Sequence, residues 1–311
     1  MRIGLTGGAA TTDGIVLQAR RAEADGFAAL WCASLVAGDP LVAMALAGRA
    51  TERIELGTAV LQTYPCHPLL QANRVAAAAE AMGRPGLTLG IGPSHRALVE
   101  GAFGLSYDHP GRSTEEYTRI LTALLRGEDV DFTGADWSVH SAGRSVAGPG
   151  RPRVPVLLAA LGPRLLRVAG RYTDGAVLWL ASAKAIADHV APRLREAARE
   201  AGRPTPRIVA GLPVAVHDEE NEARSAVAAG SDAYAGMPNY RRILNAGGAG
   251  DAAGAAIVGD ERAVREQLTD LIEAGATDVW ANVVPVGKDR ATRGASARRT
   301  RDLLAELAAE A

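Results

Sequence analysis

Short apolar runs alternate with longer segments of helical spacing along most of the chain. The pattern is clearest where the run Val156–Leu161 is followed by Gly162-Pro163, then by a helically spaced stripe from Leu165, then by a second run, Ala176–Leu180. Short runs between turn residues are typical of strands buried on both faces. Pro163 suits the first helical turn, where no backbone N–H is needed. We therefore predict a strand, a helix and a second strand that form a right-handed parallel crossover.

The same rhythm of strand and helix recurs from one end of the chain to the other. The predicted strands are Arg2–Thr6, Phe27–Cys32, Ile54–Leu61, Gly86–Ile91, Val156–Leu161, Ala176–Leu180, Ile208–Val216 and Asp278–Val284. Eight strands that alternate with helices predict the α/β class, as one closed (β/α)8 TIM barrel over residues 1–311 rather than two domains. Residues 106–153 and 230–258, roughly, break the rhythm and are expected to be insertions.

Local signals predict several helix boundaries. Asp39-Pro40 is a good N-cap followed by a first-turn proline. Ser113, with Glu116 three residues later, has the spacing of a capping box and predicts a helix start. Pro192 is expected to kink the helix over residues 183–201.

In a barrel of this kind the reacting groups lie at the carboxyl ends of the strands. The helix start at Gly162–Arg164 follows such an end, and its free amides would attract an anion, phosphate above all. A Gly-Pro pair can also be no more than a turn between strand and helix. Both interpretations stay open at this point.

Composition narrows the classes of partner. Of the 311 residues, 34 are basic and 35 acidic, so the net charge of -1 argues against nucleic acid or an anionic membrane as the main partner. The N-terminus lacks a long apolar segment, and no stretch approaches the roughly 18 apolar residues of a membrane span. Cys32 and Cys66 fit neither a disulfide framework nor a metal site. We expect a cytoplasmic protein that acts on a small molecule and binds no metal.

The predicted rim also lacks the motifs of common catalytic sites. The sequence contains no H-E-x-x-H, Walker lysine loop, G-x-S-x-G or C-x-x-C. Carboxylates are scarce near the strand ends, which argues against a hydrolase or a metal centre. Small residues there would let the backbone approach a flat organic cofactor, as Ala59, Gly90, Gly92 and Ala160 illustrate.

The chain resembles the luciferase-like monooxygenase superfamily, and specifically its branch of coenzyme F420-dependent oxidoreductases. The likeness covers essentially the whole length and rests on the order and spacing of five segments, at residues 22–31, 53–68, 87–95, 156–179 and 258–280. The resemblance implies a cofactor of the deazaflavin type, F420, with FMN as the alternative. Relatives are commonly homodimers, and the alanine-rich helix over residues 69–82 would suit such packing.

The resemblance also implies where the cofactor lies. Relatives have a non-prolyl cis peptide at the end of the third strand, which maps to Ala59-Val60. The phosphate and its acidic tail would lie on Leu161-Gly162-Pro163. The full set of cofactor-binding residues that we predict is Thr6, Gly7, Ala33, Ala59, Val60, Gly90, Gly92, Ser94, Arg96, Ala160, Leu161, Gly162, Pro163, Arg164, Trp179, Leu180 and Ala181.

The sequence departs from the family pattern after the second strand. Several relatives have Asp-His there as a proton donor, whereas this chain has Ser34 and Leu35. We therefore consider His95 the candidate proton donor and Ser34 a second candidate, although a histidine beside a helix start is often only a cap or a surface residue.

Three functions follow from these considerations. The first is hydride transfer between F420 and a small organic substrate, most simply the reduction of an electrophilic acceptor. The second is an FMN-dependent monooxygenase of the same superfamily. The third is a barrel that binds a flavin or deazaflavin without turnover, because fold and site architecture alone do not establish chemistry.

Overall fold

A closed cylinder of parallel strands forms the centre of the protein. The computed structural model describes residues 1–34, 38–143, 146, 152–231, 234 and 236–310. Around the cylinder the strands are β1 (Ile3–Gly7), β2 (Ala29–Cys32), β3 (Glu55–Thr58), β5 (Leu87–Gly92), β8 (Val156–Ala159), β9 (Gly175–Trp179), β10 (Arg207–Val216) and β12 (Asp278–Val283). β12 pairs back with β1 and closes the barrel. The prediction of a (β/α)8 TIM barrel is confirmed.

Four short strands lie outside this ring. β4 (Leu61–Gln62) pairs with β5, and β11 (Ile257–Gly259) pairs with β10. β6 (Asp131–Thr133) and β7 (Ser138–His140) form an antiparallel hairpin. β11 has only three residues, and the strand pattern of the sequence did not indicate it.

Helices surround the barrel. They are α1 (Thr12–Ala24), α2 (Pro40–Arg49), α3 (Pro68–Met82), α4 (Arg96–Gly101), α5 (Pro110–Leu125), α6 (Pro163–Tyr172), α7 (Ala183–Ala185), α8 (Ala191–Glu200), α9 (Glu220–Ala229), α10 (Pro238–Ala246), α11 (Ala252–Ala255), α12 (Glu261–Glu273) and α13 (Arg290–Ala309). α6 connects β8 to β9 as the predicted crossover. Asp39 caps α2 by accepting a hydrogen bond from the backbone N–H of Leu41, at 2.9 Å.

The predicted helix with a proline kink has a different irregularity. A π-helical segment, Ile186–Val190, separates α7 from α8, so Pro192 falls in the first turn of α8. A proline is tolerated there because first-turn amides need no partner within the helix. The last helix begins at Arg290, where Asp289 and Thr292 form a capping box.

The predicted capping box at Ser113 and Glu116 is wrong. α5 already begins at Pro110, and Ser113 and Glu116 lie within it. The Glu116 carboxylate instead accepts hydrogen bonds from the backbone N–H groups of Ala135, Asp136 and Trp137, at 2.9–3.0 Å. Glu116 therefore anchors the tip of the β6–β7 hairpin to α5.

We expect Glu116→Ala to lower the free energy of unfolding by about 2 kcal/mol, because three backbone amides in partly buried hydrogen bonds lose a carboxylate acceptor. Glu115→Ala is the matched control on the same helix. Its carboxylate makes one partly exposed ion pair with Arg164, so the loss should stay below about 1 kcal/mol. Urea denaturation of both variants measures the difference, and equal losses would contradict this role of Glu116.

Side chains that point inward fill the lower part of the barrel. Ala29, Trp31, Leu157, Val177, Val209 and Trp280 form one buried cluster. The fully buried Trp31 ring occupies space that glycine leaves free, since a Cβ on Gly57 would lie 2.3 Å from it. The described side chains therefore fill the barrel interior around Trp31.

The amino ends of the strands carry an ionic cluster. Arg207 donates to Asp278 at 2.6 Å and to Glu55 at 3.0 Å, and Arg2 donates to Asp278 at 2.7 Å and also pairs with Glu55. Burial would raise the pKa of Asp278, but its hydrogen bonds and ion pair with Arg207 outweigh this effect and hold the pKa below 3.8. In (β/α)8 barrels this end serves stability rather than chemistry.

Candidate active site

The opposite end of the barrel, at the carboxyl ends of the strands, forms a partly exposed mouth. Ala59, Val60, Ala159 and Trp179 pack on the buried interior cluster but keep part of their surface accessible. Thr6 lies among them and accepts a hydrogen bond from Trp280 Nε1 at 2.8 Å. The walls here are apolar and mostly small, which suits a flat organic ring.

The peptide bond between Ala59 and Val60 is cis, as the family resemblance implies. Next to it, Thr58 Oγ1 donates to Gly90 O at 2.8 Å and accepts from Gly90 N at 2.9 Å. A Cβ on Gly90 would lie 2.0 Å from Thr58 O, so only glycine allows this approach. The absence of a side chain at Gly90 therefore allows β5 to lie close to the end of β3.

Gly92 lies in close contact with side chains at the mouth, between β5 and β8. A Cβ there would lie 2.8 Å from Ala159 Cβ and 3.0 Å from Val60 Cγ2. The missing side chain therefore lets β5 pack closely against Val60 and Ala159. Val60 and Ala159 keep part of their surface accessible at the mouth, and Ala159 is a residue that our sequence prediction omitted.

The start of α6 is the best candidate for an anion position at the mouth. Gly162 is the N-cap and has no side chain to cap the first amides, while Pro163 occupies the first turn. Arg242 of α10 brings Nη1 within 2.9 Å of where a Gly162 Cβ would be. Among the described residues, Arg242 has no hydrogen-bond or ion-pair partner. A helix N-terminus beside a guanidinium is well suited to a phosphate.

The two arginines that we predicted for the cofactor are engaged elsewhere. Arg164 pairs with Glu115 of α5 at 3.0 Å. Arg96 pairs with Glu100, donates to Tyr107 O at 3.0 Å and lies over the Tyr107 ring. The sequence offered no reason to prefer Arg242, because it lies about 80 residues from Gly162 within the second insertion.

For four of the predicted cofactor-binding residues, the side chain, or the Cβ position of a glycine, faces away from the mouth. Ala160, Leu180 and Ala181 are fully buried in the outer core, between the barrel and its helices. A Cβ on Gly7 would meet Cys32 Sγ at 2.4 Å on that same outer side. Alternate strand residues face opposite sides of the sheet, so any contact of these four residues with the cofactor would have to come from their backbone. Only their backbone lies near the rim.

A row of aromatic rings crosses the rim. Trp280 contacts Trp179 with ring centroids 5.1 Å apart, Trp179 contacts Tyr234 at 6.1 Å, Tyr234 contacts Tyr240 at 4.7 Å and Tyr240 contacts His95 at 5.8 Å. The row joins strand ends to the second insertion. Tyr240 lies within α10 and Tyr234 precedes that helix, and no sequence periodicity indicated that either ring reaches the barrel mouth.

His95 stands at the end of this row, at the N-cap position of α4, where its side chain makes no capping hydrogen bond. Burial lowers its pKa below the ordinary value of 6.5. The imidazole is therefore mainly neutral at pH 7. The preceding residue, Ser94, has a φ of 64° and accepts a hydrogen bond from Tyr107 OH at 2.8 Å through its carbonyl oxygen.

The other candidates lie on the rim. The Ser34 hydroxyl donates to Gln62 Oε1 at 3.0 Å, and Gln62 Nε2 donates back to Ser34 O at 3.2 Å, so this proton is already engaged. Ala33 is exposed, and Leu161 O accepts from His189 Nε2 at 2.9 Å. Leu35 lies outside the described residues.

Other classes of site find no support in the described part of the chain. No cluster of three or more His, Cys, Asp or Glu side chains there could hold a metal ion. The helices described include none long and apolar enough to cross a membrane. Burial raises the pKa of the Cys32 thiol to about 12, which leaves it protonated and unreactive.

Comparison with known proteins finds one matching family and several similar enzymes. Residues 2–278 match the luciferase-like monooxygenase family. A 5,10-methylenetetrahydromethanopterin reductase of Methanopyrus kandleri is 26% identical over 314 residues, covering 86% of this chain and 88% of the reductase. An F420-dependent glucose-6-phosphate dehydrogenase of Nocardia farcinica is 34% identical over 170 residues, covering 51% of this chain and 48% of the dehydrogenase.

Solved structures show the same fold. The coenzyme F420-dependent tetrahydromethanopterin reductase of Methanopyrus kandleri superimposes with a TM-score of 0.76 at 20% identity, covering 98% of this chain and 97% of the reductase. The oxygenating constituent of 3,6-diketocamphane monooxygenase of Pseudomonas putida, in complex with FMN, gives 0.76 at 17% identity, with 100% and 98% covered. Because the family match extends over most of the sequence, the chain belongs to the luciferase-like monooxygenase family and is an enzyme of that kind.

Proposed function

We propose that this protein is an F420-dependent oxidoreductase that transfers a hydride between the deazaflavin and a small organic substrate. The observation that carries the proposal is the pairing of an uncapped helix start with Arg242 at the edge of a mouth walled by small residues. The relatives named for F420 support the choice of cofactor.

The residues present fit such a group, and each has a distinct task. When bound, the cofactor supplies a carbon that gives or accepts a hydride. Val60, Gly92 and Ala159 would contact the ring, while the amides that follow Gly162 and the Arg242 guanidinium would bind the phosphate. Trp179 and the rings beyond it would exclude water from the substrate side.

Direct binding of oxidised F420 and of FMN, followed by fluorescence, tests the proposal. We expect F420 to bind more tightly, and reduced F420 to be reoxidised only when an electrophilic acceptor such as an enone is added. Arg242→Gln should weaken F420 binding roughly tenfold, because a charge-assisted phosphate contact is lost. Arg241→Gln, one residue away and exposed, is the matched control. Tight FMN binding with no binding of F420 would overturn the proposal.

FMN-dependent monooxygenation is the second candidate. The FMN-bound neighbour of almost complete coverage favours it, and a phosphate site at Gly162 would serve FMN equally well. Oxygen consumption with reduced FMN and a substrate panel distinguishes the two, since a reduced deazaflavin reacts poorly with oxygen.

As a proton donor, His95 would make the reduction rate depend on pH. The rate should fall as pH rises through a pKa that burial has lowered below 6.5, because only the imidazolium donates readily. His95→Gln should lower the rate about tenfold near pH 6 and flatten the profile. Stopped-flow reoxidation of reduced F420 between pH 5 and 8 measures this pH dependence. A rate profile that is the same in the variant and the wild type would exclude His95 as the proton donor.

An apolar patch on the α2–α3 side supports a homodimer. Val42 and Leu46 of α2 and Leu70 of α3 are 54%, 49% and 56% exposed. Large exposed apolar side chains that cluster mark an interaction surface. We propose that a second copy covers them, so Leu46→Lys should shift the mass in light scattering from dimer to monomer. Leu105→Lys, at another exposed apolar site, should leave the mass unchanged.

A further inference from the structure

One tryptophan at the barrel mouth has an unused hydrogen-bond donor. Trp179 ends β9, and its Nε1 atom is buried without a hydrogen-bond partner among the described residues. By contrast, Trp280 Nε1 donates to Thr6 Oγ1 at 2.8 Å. Trp137 Nε1 donates to Ser113 Oγ at 3.0 Å. Because an indole N–H can only donate, Trp179 needs an acceptor that the described residues do not supply.

A second donor lies next to this indole. The Tyr234 ring contacts the Trp179 ring, with centroids 6.1 Å apart. Burial raises the pKa of Tyr234 above its ordinary value of 10, although the nearby Trp179 N–H partly offsets this effect. The Tyr234 hydroxyl therefore stays protonated at pH 7, and it donates to no described residue. Two donors thus meet at the mouth without an acceptor between them.

The surroundings favour an uncharged acceptor. The aromatic row that contains both residues has no permanently charged member. A carboxylate would lose its hydration there without gaining a cation, whereas a carbonyl oxygen loses less and can accept from both donors. Trp179 also packs on the same interior cluster as Val60 and Ala159, which we propose contact the cofactor ring. An oxygen bound by the two donors would therefore lie at the same mouth as that ring.

We propose that Trp179 Nε1 and the Tyr234 hydroxyl bind the carbonyl oxygen of the substrate, which makes uncharged carbonyl compounds the substrate class. This inference rests on the proposed function and goes beyond it, since it names that class and two residues that contact the substrate. The oxygen would enter between the two donors and accept a hydrogen bond from each.

The reduction of an enone shows what the two donors would do. A hydride from the reduced cofactor, which is thereby oxidised by two electrons, adds to the β-carbon. The C=C electron pair shifts to the bond beside the carbonyl, and the C=O pair moves onto oxygen. A proton, for which His95 is the candidate donor, then adds to the α-carbon as the C=O bond forms again. Donors fixed beside the oxygen stabilise the charge that develops there.

The indole N–H signals in NMR test this binding without turnover. The chain has four tryptophans, so a ¹⁵N-labelled sample gives four such signals, and Trp179→Phe identifies one of them. Cyclohexenone should move the Trp179 signal downfield, both in the protein alone and with oxidised F420 bound, because the N–H gains an acceptor. Cyclohexene has a ring of the same size but no oxygen, and it should not. The signal of Trp31, which is fully buried inside the barrel, should stay in place.

Steady-state rates distinguish the two donors from residues that only support the fold. Trp179→Phe and Tyr234→Phe each keep an aromatic ring and remove one donor. The kcat/KM for cyclohexenone should fall about tenfold or more in each variant, while the affinity for F420 stays unchanged. Trp137→Phe is the matched control, because it removes an indole N–H that is bonded to Ser113 at the β6–β7 hairpin. It should change neither quantity.

The outcomes separate this inference from the proposed function. The donor assignment alone is overturned if cyclohexenone moves the Trp179 signal in neither form of the protein, or if cyclohexene moves it equally. Wild-type rates of cyclohexenone reduction in both donor variants would also overturn it. If F420 does not bind, the proposed function fails, and the Trp179 signal of the protein alone then decides about the carbonyl site.

Discussion

Asp278→Ala is expected to lower the free energy of unfolding by about 3 kcal/mol or more. The carboxylate is 4% exposed and accepts from Arg207, Arg2 and Thr277. Its removal leaves two arginines with Glu55 as their remaining acidic partner in the cluster, and breaking a buried ion pair costs more than the pair contributes. The position is remote from the mouth, so cofactor affinity of the folded variant should stay unchanged.

Chemical denaturation at several pH values checks this expectation. The folded pKa of Asp278 lies below 3.8, so its contribution is present above that pH and is lost as pH falls through the lowered folded value. The difference between wild type and Asp278→Asn should therefore shrink in strong acid. Glu196→Gln breaks an exposed ion pair with Arg199 and should leave the free energy of unfolding unchanged within measurement error. A small loss of unfolding free energy in the Asp278 variants that does not change with pH would contradict this role of Asp278.

The fold could be predicted from the sequence because its signals are local. Apolar runs bounded by Gly, Pro and Asp predict strands and helix starts whatever the rest of the chain does. The helix start at Gly162 is one example. The wrong capping box at Ser113 shows the limit, since the same spacing can occur inside a helix whose acidic side chain serves a distant hairpin.

The side that a strand residue faces could not be predicted in the same way. Val156–Leu161 is apolar throughout because β8 is buried on both sides, so no alternation distinguishes inner from outer positions. Ala160 was predicted as a residue whose backbone approaches the cofactor, and no pattern in the sequence indicated that the side chain at the mouth is that of Ala159. A shift of one residue reverses the face.

Long-range partners are likewise absent from any local pattern. Arg242, Tyr234 and Tyr240 reach the mouth from the second insertion, and only the folded chain brings Arg242 to Gly162. The cis peptide at Ala59-Val60 was predictable through the family resemblance alone, since nothing in Ala-Val itself indicates it.

Gly90→Ala is expected to be among the most damaging small substitutions at the mouth, with a loss of about 3 kcal/mol or more. The added methyl would lie 2.0 Å from Thr58 O, a backbone atom that cannot move without shifting β3. Gly92→Ala, on the same face two residues away, is the matched control. Its methyl meets only side-chain atoms of Ala159 and Val60, so a loss of about 1 kcal/mol is expected.

Thermal and urea denaturation compare the two variants, and F420 titration of the folded Gly92→Ala protein reports on the site. That variant should fold yet bind the cofactor at least several-fold more weakly, because the added methyl displaces Val60 and Ala159, which we propose contact the ring. If Gly90→Ala yields no folded protein for denaturation, the soluble yields of the two variants are compared instead, and Gly90→Ala should give the lower yield. Equal stability of the two variants would show that β5 can move away from Thr58, and unchanged F420 affinity in Gly92→Ala would place the ring elsewhere.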